Sequence, residues 1–175
     1  MLRSNTTLTS LDLSDNNIGA NGAKQIMEGL RYNSTLTKLY FKNNKIGDNA
    51  GAYISTMIKD NKCLQYLDIS ENNLQTNAGI LVSLSLESNS TLKYLNLAHN
   101  QMLEASNNSD SNIKRCHQAL QNIFQRNKTM TNLELEGNCL LENIAKEINS
   151  SLARNLMLGG TRKKKKKLFS LLFDD

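Results

Sequence analysis

The sequence predicts an α/β solenoid, a right-handed partial horseshoe with short parallel strands on a concave face and helices on the convex one. Three observations predict it. The pattern L-x-x-L-x-L-x-x-N-x-(apolar) begins at Leu8, Leu36, Leu64, Leu92 and Met130, at spacings of 28, 28, 28 and 38 residues. Each copy contains a stretch of period two, and each stretch is followed by apolar residues four apart. A two-residue period buries one face of a strand, and a four-residue spacing buries one face of a helix, so each copy is one strand–helix unit. Units repeating at this period bury their faces only against each other, which gives a quasi-linear stack.

The strands come first. Leu11/Leu13, Leu39/Phe41, Leu67/Ile69, Leu95/Leu97 and Leu133/Leu135 are the buried alternation. Three residues on stand Asn16, Asn44, Asn72, Asn100 and Asn138. An Asn amide both donates and accepts, so in a stack it can satisfy backbone groups of a buried turn, and these asparagines read as structural. The helices follow, with buried pairs Ile26/Leu30, Ile54/Ile58, Val82/Leu86, Leu120/Phe124 and Ile148/Leu152. Three residues beyond each pair lies a second asparagine, Asn33, Asn61, Asn89, Asn127 or Asn155, expected to end its helix in a left-handed cap. Ala23, Gly51, Gly79 and Ala145 near the helix starts predict close packing of helix on strand layer.

With its 28-residue period, this pattern resembles the ribonuclease-inhibitor type of leucine-rich repeat, as in Ran GTPase-activating proteins, tropomodulin-like actin regulators and NOD-like receptors. The resemblance implies a horseshoe and protein–protein recognition on the concave face or its rims. The repeats occupy residues 1–157, and residues 158–175 form a basic and apolar tail. Leu2 matches Leu30 and the later last buried helix residues, and Asn5 matches Asn33, so the chain starts on the final turn of a repeat. The expectation is a fragment of a longer repeat protein, or one that pairs through its N-terminal edge.

Residues between the buried strand leucines point across the concave face in four rows. The first is Ser10, Lys38, Tyr66, Tyr94, Asn132; the second, Asp12, Tyr40, Asp68, Asn96, Glu134; the third, Ser14, Lys42, Ser70, Ala98, Glu136; the fourth, Asp15, Asn43, Glu71, His99, Gly137. Tyr40, Tyr66 and Tyr94 fall on neighbouring strands about 4.8 Å apart. Ringed by Lys38, Lys42, Asp68, Glu71, Asn96, His99 and Glu134, they have the anatomy of a binding hot spot. The alternative is that Tyr simply suits a strand surface. The ten extra residues of the fourth repeat, "LEASNNSDSN" at 103–112, are a polar loop placed to flank Tyr94 and His99, or a tolerated insertion.

The formal net charge of +5 is uneven: Arg162, Lys163, Lys164, Lys165, Lys166 and Lys167 lie together, followed by Asp174 and Asp175, so the body is nearly neutral. The tail reads as a nuclear-localisation signal or acidic-surface tether, as an apolar cover for the end of the solenoid, or as a low-complexity end. A nearly neutral body with Glu134 and Glu136 on its face argues against a nucleic-acid groove. No phosphate loop, nucleophile elbow, dinucleotide turn or His/Cys metal cluster occurs, so no catalysis, cofactor or metal is expected. His117 reads as structural, and Cys63, Cys116 and Cys139 as reduced space-fillers. No run of about 18 apolar residues is present, which makes membrane contact unlikely outside the tail. Without a signal peptide, the expected place is the cytoplasm or nucleus. The leading function is a non-catalytic module binding a protein partner on the concave face; the alternatives are regulation of a small GTPase and an actin-regulatory role.

Overall fold

The computed structural model describes residues 2–103, 110–140 and 142–159. The tail residues Arg162 to Lys167, most of the fourth-repeat insertion and the side chain of Phe124 lie outside the described residues. Five strands, β1 (Ser10–Asp12), β2 (Lys38–Tyr40), β3 (Tyr66–Asp68), β4 (Tyr94–Asn96) and β5 (Asn132–Glu134), form one parallel sheet in chain order. Equivalent residues pair throughout, Leu11 with Leu39, Leu39 with Leu67, Leu67 with Leu95 and Leu95 with Leu133. Between and after them run α1 (Gly19–Leu30), α2 (Gly51–Asp60), α3 (Thr76–Leu86), α4 (Asp110–Arg126) and α5 (Glu142–Gly159). Short 3-10 turns occupy Leu2–Ser4 and Asp48–Ala50.

A continuous aliphatic core lies between sheet and helices. Leu39, Phe41, Leu67, Ile69 and Leu95 have no exposed area, nor do Ile54, Met57 and Val82 of the helices. At the N-terminal end the layer is thinner: Leu8 is 40% exposed, whereas its equivalents Leu36, Leu64, Leu92 and Met130 are buried. Among the described residues no helix is long and apolar enough to cross a membrane.

The first set of asparagines forms a ladder. The Oδ1 of Asn72 accepts the Asn44 N–H at 2.8 Å, and its Nδ2 donates to the carbonyls of Phe41 at 2.8 Å and Ser70 at 2.9 Å. Asn44, Asn100 and Asn138 do the same for the turns before them. Asn16 is exposed, and its side chain bonds only within its own turn, to the Leu13 and Ser14 carbonyls.

The second set corrects an expectation. Asn61 is extended, with φ −69° and ψ 134°, and none of Asn33, Asn61, Asn89, Asn127 or Asn155 has a positive φ. These residues cap with their side chains instead. Asn61 Nδ2 donates to the Leu30 and Asn33 carbonyls of the preceding repeat, and its Oδ1 accepts the N–H groups of Cys63 and Leu64. Asn33 makes the same bonds to Leu2 and Asn5, so the opening residues fill the place that Leu30 and Asn33 fill for Asn61. The left-handed residues lie in the strand-to-helix turns: Asp15, Asn43, Glu71 and His99, then Asn17, Lys45, Asn73 and Cys139.

The small residues pack differently from expectation as well. A Cβ on Gly51 would lie 2.6 Å from Ala78 Cα, and one on Gly79 would lie 3.0 Å from Cys116 Sγ. The close approach at Gly51 is therefore of helix on the next helix, rather than of helix on strand.

His117 on α4 is 8% exposed and its Nε2 has no hydrogen-bond partner. Burial lowers its pKa below the ordinary histidine value of 6.5. The unfolded chain therefore binds this proton more readily than the folded one, and stability rises with pH between the two values. Its contribution is complete above the unfolded value and is lost as pH falls through the lowered folded value. Denaturant unfolding at pH 7 and pH 5.5 is expected to show a drop at the lower pH that shrinks in His117→Gln. An equal drop in both proteins would show that other groups cause it.

Candidate protein-binding site

Strand residues whose side chains alternate away from the core form the open side of the sheet. Lys38 is exposed, Tyr40, Tyr66 and Tyr94 are half-buried, and Leu39, Leu67 and Leu95 between them are fully covered. Parallel sheets are commonly covered on both faces, so this one, which no described element covers, is the feature available for binding.

In-register pairing of Tyr66 with Tyr94 sets their rings parallel, with centroids 4.2 Å apart and an interplanar angle of 4°. Tyr40, two residues further along its strand and so on the same face, meets Tyr66 at 4.8 Å and 44°. Burial is the main cause raising both the Tyr66 and Tyr94 phenols above the usual tyrosine value. The neighbouring Tyr94 hydroxyl further raises Tyr66, and the carboxylates of Glu134 and Asp68 further oppose ionisation of Tyr94. Both phenols stay protonated, as neutral rings with a polar tip.

Charged side chains edge the row. Lys42 pairs with Glu71 at 2.9 Å, an exposed contact of small energy. Asp68 accepts the Ser70 N–H and hydroxyl and the Asn96 amide at 3.2 Å. Asp15 accepts the Asn43 amide at 2.8 Å, and the Ser14 N–H holds the Asp12 carboxyl below its usual range. Glu134 and Glu136 are exposed on β5 and just after it.

Two of the expected rows need revision. Ser70 is 3% and Ala98 8% exposed, so the middle of the third row lies beneath the surface. Its backbone is turning inward there: the Ser70 carbonyl accepts from Asn43 N–H and Asn72 Nδ2, and the Ala98 carbonyl from Glu71 N–H. The fourth row is the left-handed turn position. His99 has φ 53°, and its equivalent Gly137 has φ 72° with the His99 ring against it, where a Cβ would come within 2.5 Å of Nδ1. His99 is thus exposed on the rim, packed on Gly137, beside rather than within the tyrosine row.

A second surface was not foreseen. Tyr32, 55% exposed just after α1, carries the guanidinium of Arg3 at 4.4 Å and that of Arg31 at 5.3 Å from its ring centre. Arg31 also pairs with Asp60, and beside them opens a 430 Å³ groove that includes Cys63. The "LRY" triplet was the only hint, because Asp60 and Arg3 reach this place from neighbouring repeats. Cys116, by contrast, is buried, and burial pushes its thiol up to about 12, well outside the range of a nucleophile.

Comparison with known proteins agrees with this architecture. Segments 4–27, 32–55, 60–83 and 88–105, just over half of the chain, match the family described as leucine-rich repeat. The fifth unit, β5 and α5, lies beyond the matched segments. No curated protein matches. Among solved structures the chain is similar to "Leiomodin-1 Actin-Binding Site 2 (ABS2)", with a TM-score of 0.74 and 16% identity, covering 99% of this chain and 94% of that one. It is equally similar to the tropomodulin C-terminal domain of Caenorhabditis elegans, with a TM-score of 0.74 and 13% identity, covering 95% and 93%. Matched repeat by repeat and built as one strand and one helix per unit, the chain belongs to the leucine-rich repeat family.

Proposed function

We propose that this chain is a non-catalytic module that binds a protein partner across the open face of its sheet. The observation that carries the reading is the row Tyr40–Tyr66–Tyr94, three half-buried rings in contact on an uncovered face and edged by charge. Rings held in place by strand register lose little conformational freedom on binding, which is why Tyr anchors interfaces. Five strands and their rims offer an area of the order of the ~800 Å² per partner of a standard interface. Three free cysteines favour a reducing compartment, which supports a cytoplasmic setting, and the 28-residue period supports the ribonuclease-inhibitor type of repeat.

A photoreactive residue placed at Lys38 on the open face, with a second variant carrying it at Lys59 on α2, tests the reading in extracts of cells that make the protein. Cross-links to a discrete partner are expected from position 38 and not from 59; the reverse result would place the partner on the helices. A second reading takes the partner to be actin, because one structure similar to this chain is titled an actin-binding site. Co-sedimentation with actin filaments, with the Tyr66→Ala/Tyr94→Ala variant as control, tests it: pelleting that depends on the two rings supports actin, and no pelleting excludes filaments as the target.

A further inference from the structure

The row of rings ends abruptly. Tyr94 has Tyr66 stacked on one side, and on the other its in-register neighbour is Asn132, short and exposed. One strand further, about 4.8 Å away, no ring among the described residues continues the stack, so the face of the Tyr94 ring turned from Tyr66 looks over Asn132 on the last strand of the sheet. Glu134 stands beside it in the second row and Glu136 in the third, both exposed and without an ion pair or side-chain hydrogen bond among the described residues. The whole face is acidic on a chain of net charge +5. Asp12, Asp15, Asp68, Glu71, Glu134 and Glu136 stand against Lys38 and Lys42, and Lys42 is already paired with Glu71.

We propose that the partner docks with an arginine whose guanidinium stacks on the free side of Tyr94 and pairs with Glu134 and Glu136; this rests on the open face being the binding face. Arginine fits better than lysine. Its guanidinium is planar and weakly hydrated, so it continues a parallel ring stack, while its N–H fork meets carboxylates through two parallel bonds. An ammonium, compact and strongly hydrated, meets the charge but does not continue the stack. The partner is therefore a protein presenting an exposed, arginine-bearing extended segment, and Glu134 and Glu136 set that preference.

The test uses the full chain labelled at its tyrosine rings and asparagine side chains. It is titrated by NMR with the blocked peptide Ser-Gly-Arg-Ser-Gly-Arg-Ser-Gly and with lysine and citrulline versions of it. Expected are shifts centred on Tyr94, Tyr66 and Asn132, an affinity for the arginine peptide at least fivefold above that for lysine, and no measurable binding of citrulline. Glu134→Gln/Glu136→Gln should weaken binding at least tenfold with an unchanged urea midpoint. Shifts centred elsewhere, equal affinity for lysine, or indifference to the two glutamines would overturn the proposal. So would a change in the Tyr94 signals of the free protein when Arg162 to Lys167 are replaced by Gln, since the chain's own basic segment would then be the occupant. If the arginine peptide ignores this face while a cross-link from position 38 still reaches a partner, the face stands as the binding site and only the arginine is wrong.

Discussion

Asn72→Ala is expected to destabilise the protein by about 2–4 kcal/mol, among the largest effects of any single substitution in the fold. The Asn72 side chain has no exposed area and makes three hydrogen bonds to backbone groups, the Asn44 N–H and the carbonyls of Phe41 and Ser70. Alanine fills part of the volume but leaves the Asn44 N–H dry, at about 1–3 kcal/mol for a buried group without a partner, and takes one of two bonds from each carbonyl: Phe41 keeps Asn44 Nδ2 and Ser70 keeps the Asn43 N–H. Two of the three belong to the preceding repeat, so the loss falls on the interface between the second and third units. In a stack whose stability is a sum of units and nearest-neighbour interfaces, weakening one interface broadens or splits the unfolding transition. Asn16→Ala is the matched control: the Asn16 side chain is exposed and bonds only its own turn, so its loss should cost about 1 kcal/mol or less. Urea unfolding of the two variants decides the matter, and a shift under about 1 kcal/mol for Asn72→Ala would mean that water replaces the ladder.

The second large effect is on binding. Removing the rings of Tyr66 and Tyr94 is expected to weaken partner affinity at least a hundredfold, about 3 kcal/mol. The cost to the fold is smaller, because both rings lie on the open side of the sheet and the core residues Leu67 and Leu95 between the strands are untouched. What is lost is two ring contacts, Tyr66 on Tyr94 and Tyr40 on Tyr66, about 0.5–1.5 kcal/mol each, and some strand preference. A contact made only in the complex is then separable from one made in the free protein.

The parts of this molecule that repeat were readable before any coordinates, for a physical reason. Leu39, Leu67 and Leu95 occupy one environment three times, so period and burial reinforce one another, and strand register carries Tyr66 and Tyr94 onto adjacent strands. Less legible were contacts whose partner is 28 residues away and whose geometry depends on side-chain reach. Asn61 looks like a left-handed cap when only its own helix is considered; its amide actually serves Leu30 and Asn33. Gly51 reads as a place for strand contact until Ala78 is seen against it. Ser70 and Ala98 obey the outward alternation on paper, yet the chain has begun its left-handed turn and draws them in. The tyrosine row was therefore foreseen as a location. Its parallel stack, with one ring face left over Asn132, comes from ring geometry that spacing does not encode.

The central claim, that the open face of the sheet is the binding face and the tyrosine row its anchor, is tested most directly by the affinity of the Tyr66→Ala/Tyr94→Ala protein for the partner cross-linked from position 38. This is to be measured beside its urea midpoint. The account predicts a loss of at least a hundredfold with a stability change of about 1–3 kcal/mol; an unchanged affinity in a folded double variant would contradict it.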